Sequence, residues 1–281
     1  MSERVDDGVD RTLEALGLAR APREDPLTYP GAWPAESGLL VGDRLLPLDD
    51  DHSTYENRTP VLAIGSNACP GQLRHKLAEF GITSPVPMVK VRVTGIDVGV
   101  SAHVSRVGYV SASPVNSPGV VRELFVTWFD TWQLAVVDAS ERAYDRAWLP
   151  GSGSVSASVS GPGSGPKFRC ELDSGESLRG AYVYVNRHGV LHDGTGVPRR
   201  HPGERALLTE LLRGSARLRA LFGRTPAEFC ERARGDRELC ERGTRLFREE
   251  GLVTVSGLER LVRPQQTGSP GIGSSLSPPF K

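Results

Sequence analysis

The chain has 281 residues, enough for one large domain or two small ones, and Lys plus Arg equals Asp plus Glu at 34 each. A balanced charge gives no long-range attraction to nucleic acid or an anionic membrane, and no run of eighteen apolar residues supplies a transmembrane helix. Cys69, Cys170, Cys230 and Cys240 form no C-x-x-C pair and have no histidine at finger spacing, so reduced thiols in a cytoplasmic protein are expected rather than a zinc site.

In chain order, Met1 to Asp10 is acidic and lacks an apolar h-region, so no secretory signal is expected. Val5, Val9, Leu13, Leu16 and Leu18 predict a short amphipathic helix within 1–20. Residues 21–58 are rich in Pro, Gly and Asp, with one short strand expected within Leu39–Leu48. Asp49-Asp50-Asp51-His52 reads as a solvated turn rather than a metal site, because no second ligand cluster lies nearby.

Val61 to Ile64 is a run of four apolar residues and predicts a buried strand. Gly65-Ser66-Asn67 breaks it, and Pro70 opens a helical pattern with Leu73 and Leu77 on one face. A strand that turns sharply into a helix gathers backbone N–H groups around a small space, where they face an anion or a carbonyl oxygen. The plain alternative is an ordinary βα turn with a helix cap at Asn67.

Val86–Val100 predicts a long strand with a bend at Gly95, and Val107–Ala112 and Val120–Trp128 predict two more. Pro114 to Gly119 reads as a hairpin-type turn between the last two. Asp130 or Thr131 caps a short helix carrying Leu134, Val137 and Asp138. Trp128 and Trp132 read as core residues. Residues 151–166 are Gly/Ser-rich and read as a flexible insertion between two strands.

Leu178–Val185 alternates as a strand, Arg187-His188-Gly189 turns, and Val190-Leu191 forms a short strand. His188, His192, Asp193 and His201 read as a surface loop rather than a metal site, since the interspersed glycines oppose a helix. From Pro202 the pattern is helical, in two or three helices. Leu207, Leu208, Leu211 and Leu212 form one stripe, which continues through Leu218, Leu221 and Phe222. Thr225-Pro226 with Glu228 is a capping box, and a last helix holds Leu239, Leu246 and Phe247. The many arginines between 213 and 263 alternate with glutamates and read as a solvated face. Residues 264–281 are Pro/Gly/Ser-rich and are expected to be disordered.

Three segments resemble the gamma-glutamyl cyclotransferase-like family. Val61-Leu62-Ala63-Ile64-Gly65-Ser66-Asn67 is similar to its Tyr-Gly-Ser-Asn substrate loop, with Ile64 in place of the tyrosine. Gly108–Ala112, Ser117-Pro118-Gly119 and Val121–Trp128 resemble its strand, Pro-Gly turn and strand. Gln133-Leu134, Asp138-Ala139-Ser140-Glu141 and Tyr144 resemble its helix ending in Leu-Asp-x-x-Glu with a tyrosine shortly after. The likeness covers about residues 60–149. It implies a small mixed β-barrel with flanking helices, expected over 59–200; the terminal helices after a β-rich body make the expected fold α+β, with an N-terminal helix and loop-rich extension (1–58) before the barrel and a helical C-terminal region (201–263) after it.

The resemblance also implies a cofactor-free reaction. The substrate's own α-amino group attacks its γ-carbonyl, giving 5-oxoproline and a released amine. Holding the two groups in a near-attack pose supplies much of the acceleration. By the resemblance, Glu141 is the catalytic base, and Ile64, Gly65, Ser66, Asn67 and Tyr144 hold the substrate, a γ-glutamyl amine or peptide. The backbone N–H groups near Gly65–Asn67 would stabilise the oxyanion, and Tyr144 would bond the substrate or orient Glu141. A non-catalytic module that binds a small molecule or protein on the same fold is the alternative. Ser66 as a nucleophile with His75 or His103 is disfavoured, since no Gly-x-Ser-x-Gly is present. The C-terminal helices lie outside the resemblance. Covering the pocket, forming a homodimer and binding another partner all stay open for them.

Overall fold

The computed structural model describes residues 10–48, 52–151, 168–173 and 175–262. Val5 and Val9, the acidic run 49–51, nearly all of the Gly/Ser-rich insertion and the 264–281 tail lie outside the described residues. One sheet holds β1 (Gly38–Val41), β2 (Arg44–Pro47), β3 (Thr59–Ala63), β4 (Val86–Val100), β5 (Ala112–Phe129), β6 (Tyr144–Pro150) and β8 (Gly180–Asn186). Their order is β2-β1-β4-β5-β3-β8-β6, and β7 (Arg169–Leu172) pairs with β4 on the edge that also carries β1. Every pairing is antiparallel except β3 with β8. β9 (Val190–Leu191) and β10 (Val253–Thr254) form a separate small ladder.

The helices are α1 (Pro70–Ala78), α2 (Thr131–Ser140), α3 (Glu204–Gly214), α4 (Ala216–Phe222), α5 (Pro226–Ala233) and α6 (Arg237–Glu249). The fold is therefore mixed α+β, a large mixed sheet with several helices. A closed barrel is not found: the path runs open from β2 to β6. Among the described residues, the isolated parallel bridge Gly151–Phe168 is what joins the end of β6 to the start of β7.

Alternation along β3 explains its place. Val61 and Ala63 face a core shared with α1 and α2, through Leu73, Leu77, Phe129 and Val137. Leu62 and Ile64 face the opposite core, built from Val91, Val93, Ile96, Val126 and Val183. A strand covered on both faces must be apolar throughout, which is the pattern read in the sequence. A third core joins the C-terminal helices to the end of β4, where Leu207, Leu211, Phe222, Phe229 and Phe247 pack on Val100, Val104 and Val110.

Several expectations are corrected. Leu13 and Leu18 are buried, but residues 10–20 form turns rather than a helix, tied by Leu13 N–H donating to Asp43 O at 2.7 Å. Leu39–Leu48 holds two strands, joined at Gly42-Asp43. Pro114–Gly119 is not a turn between strands. β5 runs through it, and the ladder with β4 skips from Thr94↔Val121 to Gly95↔Ser117. Pro-Gly chemistry makes a bulge there, opposite Gly95 at φ 95°, so the bend expected at Gly95 is present. Val107–Ala112 lies mostly in the turn joining β4 to β5. Trp132 is 68% exposed because it stands in the first turn of α2 on the solvent side. The C-terminal region holds four helices, α5 beginning with the predicted Thr225–Glu228 capping box.

Candidate functional site

β3 ends at Ala63, and the chain enters a single 3-10 turn, Ser66–Ala68, before α1 begins at Pro70. The cap of α1 is Cys69 rather than Asn67, and no side chain caps it. The first residues of a helical turn have no intrahelical acceptor, which leaves the N–H groups of Ser66 and Asn67 directed outward. Gly65 is required by space. A Cβ there would clash with the Tyr29 hydroxyl, which is fixed by accepting the Ala112 N–H at 2.8 Å. Tyr29 stacks on Tyr109 with ring centroids 4.4 Å apart, so two rings wall the turn. Gly65→Ala is expected to destabilise by about 1–3 kcal/mol, as overpacking does. Adding Tyr29→Phe should return part of that loss in chemical denaturation, because the crowding oxygen is gone. A Gly65→Ala protein as stable as wild type would contradict the packing described.

α2 delivers Glu141. Its start is locked by Asp130, which accepts from Trp132 N and Gln133 N while Gln133 Oε1 accepts from Asp130 N at 3.0 Å. Arg58 and Ser84 bind the same glutamine. Glu141 stands just past the end of α2, where its N–H donates to Asp138 O and its carbonyl accepts from Tyr144 N. The Glu141 carboxylate points to the turn at 65–67. Asn67 Nδ2 donates to Glu141 Oε1 at 3.2 Å.

The third member is Lys76 of α1, which the sequence reading passed over. Its ammonium donates to Asn67 Oδ1 at 2.9 Å and to Glu141 Oε1 at 3.1 Å. Asn67 thus turns its oxygen to the cation and its NH2 to the carboxylate, and the three side chains close a ring. The signal was present: Lys76 falls on the stripe that carries Leu73 and Leu77, where a solvated lysine has no place.

Tyr144 lies beside this ring. Its hydroxyl must donate to Ala112 O at 2.8 Å, since a carbonyl only accepts, and Ser111 Oγ lies 2.7 Å away. Its O–H is therefore committed to the protein. Burial raises the pKa values of Tyr29, Tyr109 and Tyr144, and the Glu141 charge adds to this, so the three phenols stay neutral. Farther in, Asn186 Oδ1 accepts from His188 N, which turns Asn186 Nδ2 toward His103 Nδ1 at 2.9 Å. His103 therefore carries its proton on Nε2. Burial, with His188 beside it, lowers its pKa to about 3.

The ring and its neighbours border one cleft of about 1100 Å³. It brings together Ile64, Gly65, Ser66, Asn67, Glu141 and Tyr144, the six residues picked from the sequence, and adds Tyr29, Lys76, His103 and Tyr109. Of these, Tyr29, His103 and Tyr109 sit on distant loop segments, where their types alone carry no signal. α6 forms one wall through Arg237, Glu241, Thr244, Arg245 and Arg248, so the C-terminal region borders the same cleft. Neither histidine weighed as a partner is bonded to Ser66: His75 Nδ1 lies 3.6 Å from Glu24, and His103 is held by Asn186. His192 and His201 bond the carbonyls of Gly251 and Val110, and among the described residues no group of three His, Cys, Asp or Glu is placed to hold a metal. No helix among them is long and apolar enough to cross a membrane.

Near the cleft floor, Glu204 is 1% exposed. One carboxyl oxygen accepts from Val110 N at 2.8 Å; the other has no hydrogen-bond partner and lies 3.8 Å from His201 Nε2. Burial drives its pKa well above the ordinary value, and burial holds the adjacent His201 at about 4. A carboxyl with a raised folded pKa contributes stability that is full below its unfolded pKa and is lost as pH rises toward the folded value. Glu204→Gln should therefore match wild type near pH 4 and be the more stable protein at pH 8. The two urea stability profiles should diverge by about 1.4 kcal/mol per pH unit above pH ~4.5. Parallel profiles would mean that Glu204 is ionised in the folded state.

The chain matches no protein-family model, no curated protein and no solved structure in the comparisons made.

Proposed function

We propose that this protein is a cofactor-free enzyme of the gamma-glutamyl cyclotransferase-like kind, cyclising a γ-glutamyl amide to 5-oxoproline and releasing the amine. The observation that carries the reading is the meeting of Glu141 with Asn67 inside a cleft, across 74 positions of sequence. These are the acid and the turn that the resemblance pairs. The isolated Gly151–Phe168 bridge is what supports the barrel form of the family, since it lies where β6 would join β7.

In this reading the γ-carbonyl oxygen lies against the N–H groups of Ser66 and Asn67. One such donor is worth about 3–4 kcal/mol of barrier. Lys76 and Asn67 both occupy Glu141 Oε1, which leaves Oε2 to take the proton from the substrate ammonium. An ammonium brought beside the Lys76 cation loses its proton more easily, because like charges disfavour the charged form. The amine attacks the γ-carbon, the oxyanion collapses, and the C–N bond breaks as the proton held on Glu141 passes to the leaving nitrogen; the second proton of the attacking nitrogen is then taken up by Glu141 and leaves on the released amine as its ammonium. Tyr144 fixes the wall through Ala112 and Ser111 and offers the substrate no proton. Where Ile64 replaces the family's tyrosine, Tyr29 and Tyr109 supply rings next to the turn.

One observation favours the binding-module alternative: Glu141 already has a cationic partner in Lys76. Incubating the full chain with γ-glutamyl amines and dipeptides separates the two. Release of 5-oxoproline supports the enzyme, and saturable binding with no release from any substrate supports the module.

A further inference from the structure

We infer that the cleft selects a substrate whose amine portion carries two or more negative charges, held by Arg106, Arg245 and Arg248; this rests on the cyclotransferase reading for the other half of the substrate. The chain as a whole is neutral, yet eight cationic side chains line the cleft against three carboxylates. Each carboxylate already has a cation: Glu79 has Arg23 at 3.4 Å, Glu141 has Lys76 at 3.1 Å and Glu241 has Arg237 at 2.7 Å. Arg234 holds the carbonyls of Arg23 and Glu24, and Arg142 that of Ala139. The guanidinium groups of Arg106, Arg245 and Arg248 make no ion pair or hydrogen bond among the described residues.

Their placement is not that of a general solvated face. Positions 237, 241, 245 and 248 recur at helical spacing, so one stripe of α6 faces the cleft. Its first two residues form an ion pair, and the last two are arginines with no ion pair or hydrogen bond of their own among the described residues; the Glu241 carboxylate, already held by Arg237, lies near enough to feel Arg245 and Arg106. Arg248 is close enough to His188 to help lower its pKa, after burial, and His188 stacks on His103 at 5.8 Å. His103 in turn meets Tyr144 edge-on at 5.6 Å. The arginine wall is therefore continuous with the Glu141 end of the cleft. Guanidinium forks suit carboxylate and phosphate alike. A cationic amine in that position would face an excess of like charge.

The test uses free amines, so it does not depend on turnover. Calorimetry of the full chain at low salt would compare aspartyl-glutamate, phosphoethanolamine and putrescine. The inference expects an anionic amine to bind at least ten-fold more tightly than putrescine. It also expects Arg245→Ala/Arg248→Ala to abolish that preference, while Arg217→Ala, which pairs with Glu249 outside the cleft, leaves it intact. Whichever of the carboxylate and phosphate ligands binds more tightly identifies the source of the charge. Equal or tighter binding of putrescine, or a preference surviving in the double variant, overturns the inference. Anionic preference without 5-oxoproline release from any γ-glutamyl amide keeps this inference and removes the enzymatic reading. Release without charge preference does the reverse.

Discussion

Glu141→Gln is expected to lower kcat for 5-oxoproline release by about 10³-fold, with a much smaller change in KM. A positioned general base contributes roughly 10²–10⁴-fold, and here no other acidic group stands at the turn. Glutamine keeps the shape and still accepts from Lys76 and Asn67 through its oxygen, at the cost in stability of leaving the Lys76 cation without its counter-charge. What it loses is the second oxygen's ability to take a proton. A folded Glu141→Gln protein with wild-type kcat would remove Glu141 from the chemistry, wherever its side chain lies.

Lys76→Met has a large expected effect on stability. The Lys76 side chain is 7% exposed and that of Glu141 17%. Removing one partner of a buried pair leaves the other charge without compensation, which costs about 3–5 kcal/mol. The partial exposure of Glu141 places the expected loss near the lower end, about 3 kcal/mol. The double variant Lys76→Met/Glu141→Gln should regain most of it, since neither charge then remains buried, and the denaturant midpoints of all four proteins measure that coupling directly. Additive losses would mean that the two side chains do not interact in solution. The single variant should also slow turnover, because the substrate ammonium then loses the neighbouring cation that eases its deprotonation.

Local pattern made much of this molecule readable. β3, α1 and α2 follow from apolar runs and helical spacing, and Asp130 and Thr225 cap where their side chains predict. The long β4 with its kink follows from a valine-rich run broken at Gly95. Pro114–Gly119 was misread because the residues that make a hairpin turn also make a bulge. Only the pairing with β4 decides between them. The first twenty residues carry an apolar set that suits a helix, but Leu13 and Leu18 are buried from turns bonded to the β1–β2 hairpin. The expected barrel is not found among the described residues, because whether a sheet closes depends on pairings between distant strands, which no local pattern encodes.

The site divides in the same way. The turn at 65–67 and the acid at 141 stand in short motifs and were found. Lys76 was hidden as one cation in a helix, Tyr29 in a loop-rich segment, and the arginines of α6 in a face where glutamates alternate with them. Each takes its meaning from a contact far away in sequence: Lys76 from Glu141, Tyr29 from Gly65 and Ala112, Arg248 from His188.

The central claim is that the 65–67 turn and Glu141 together grip one γ-glutamyl group. A crystal structure of the Glu141→Gln protein soaked with a γ-glutamyl amide tests it most directly. The account predicts the γ-carbonyl oxygen within hydrogen-bond distance of the Ser66 and Asn67 N–H groups, with the α-amino nitrogen beside residue 141. A γ-glutamyl group seated anywhere else in the cleft, or an empty cleft at saturating ligand, would contradict it.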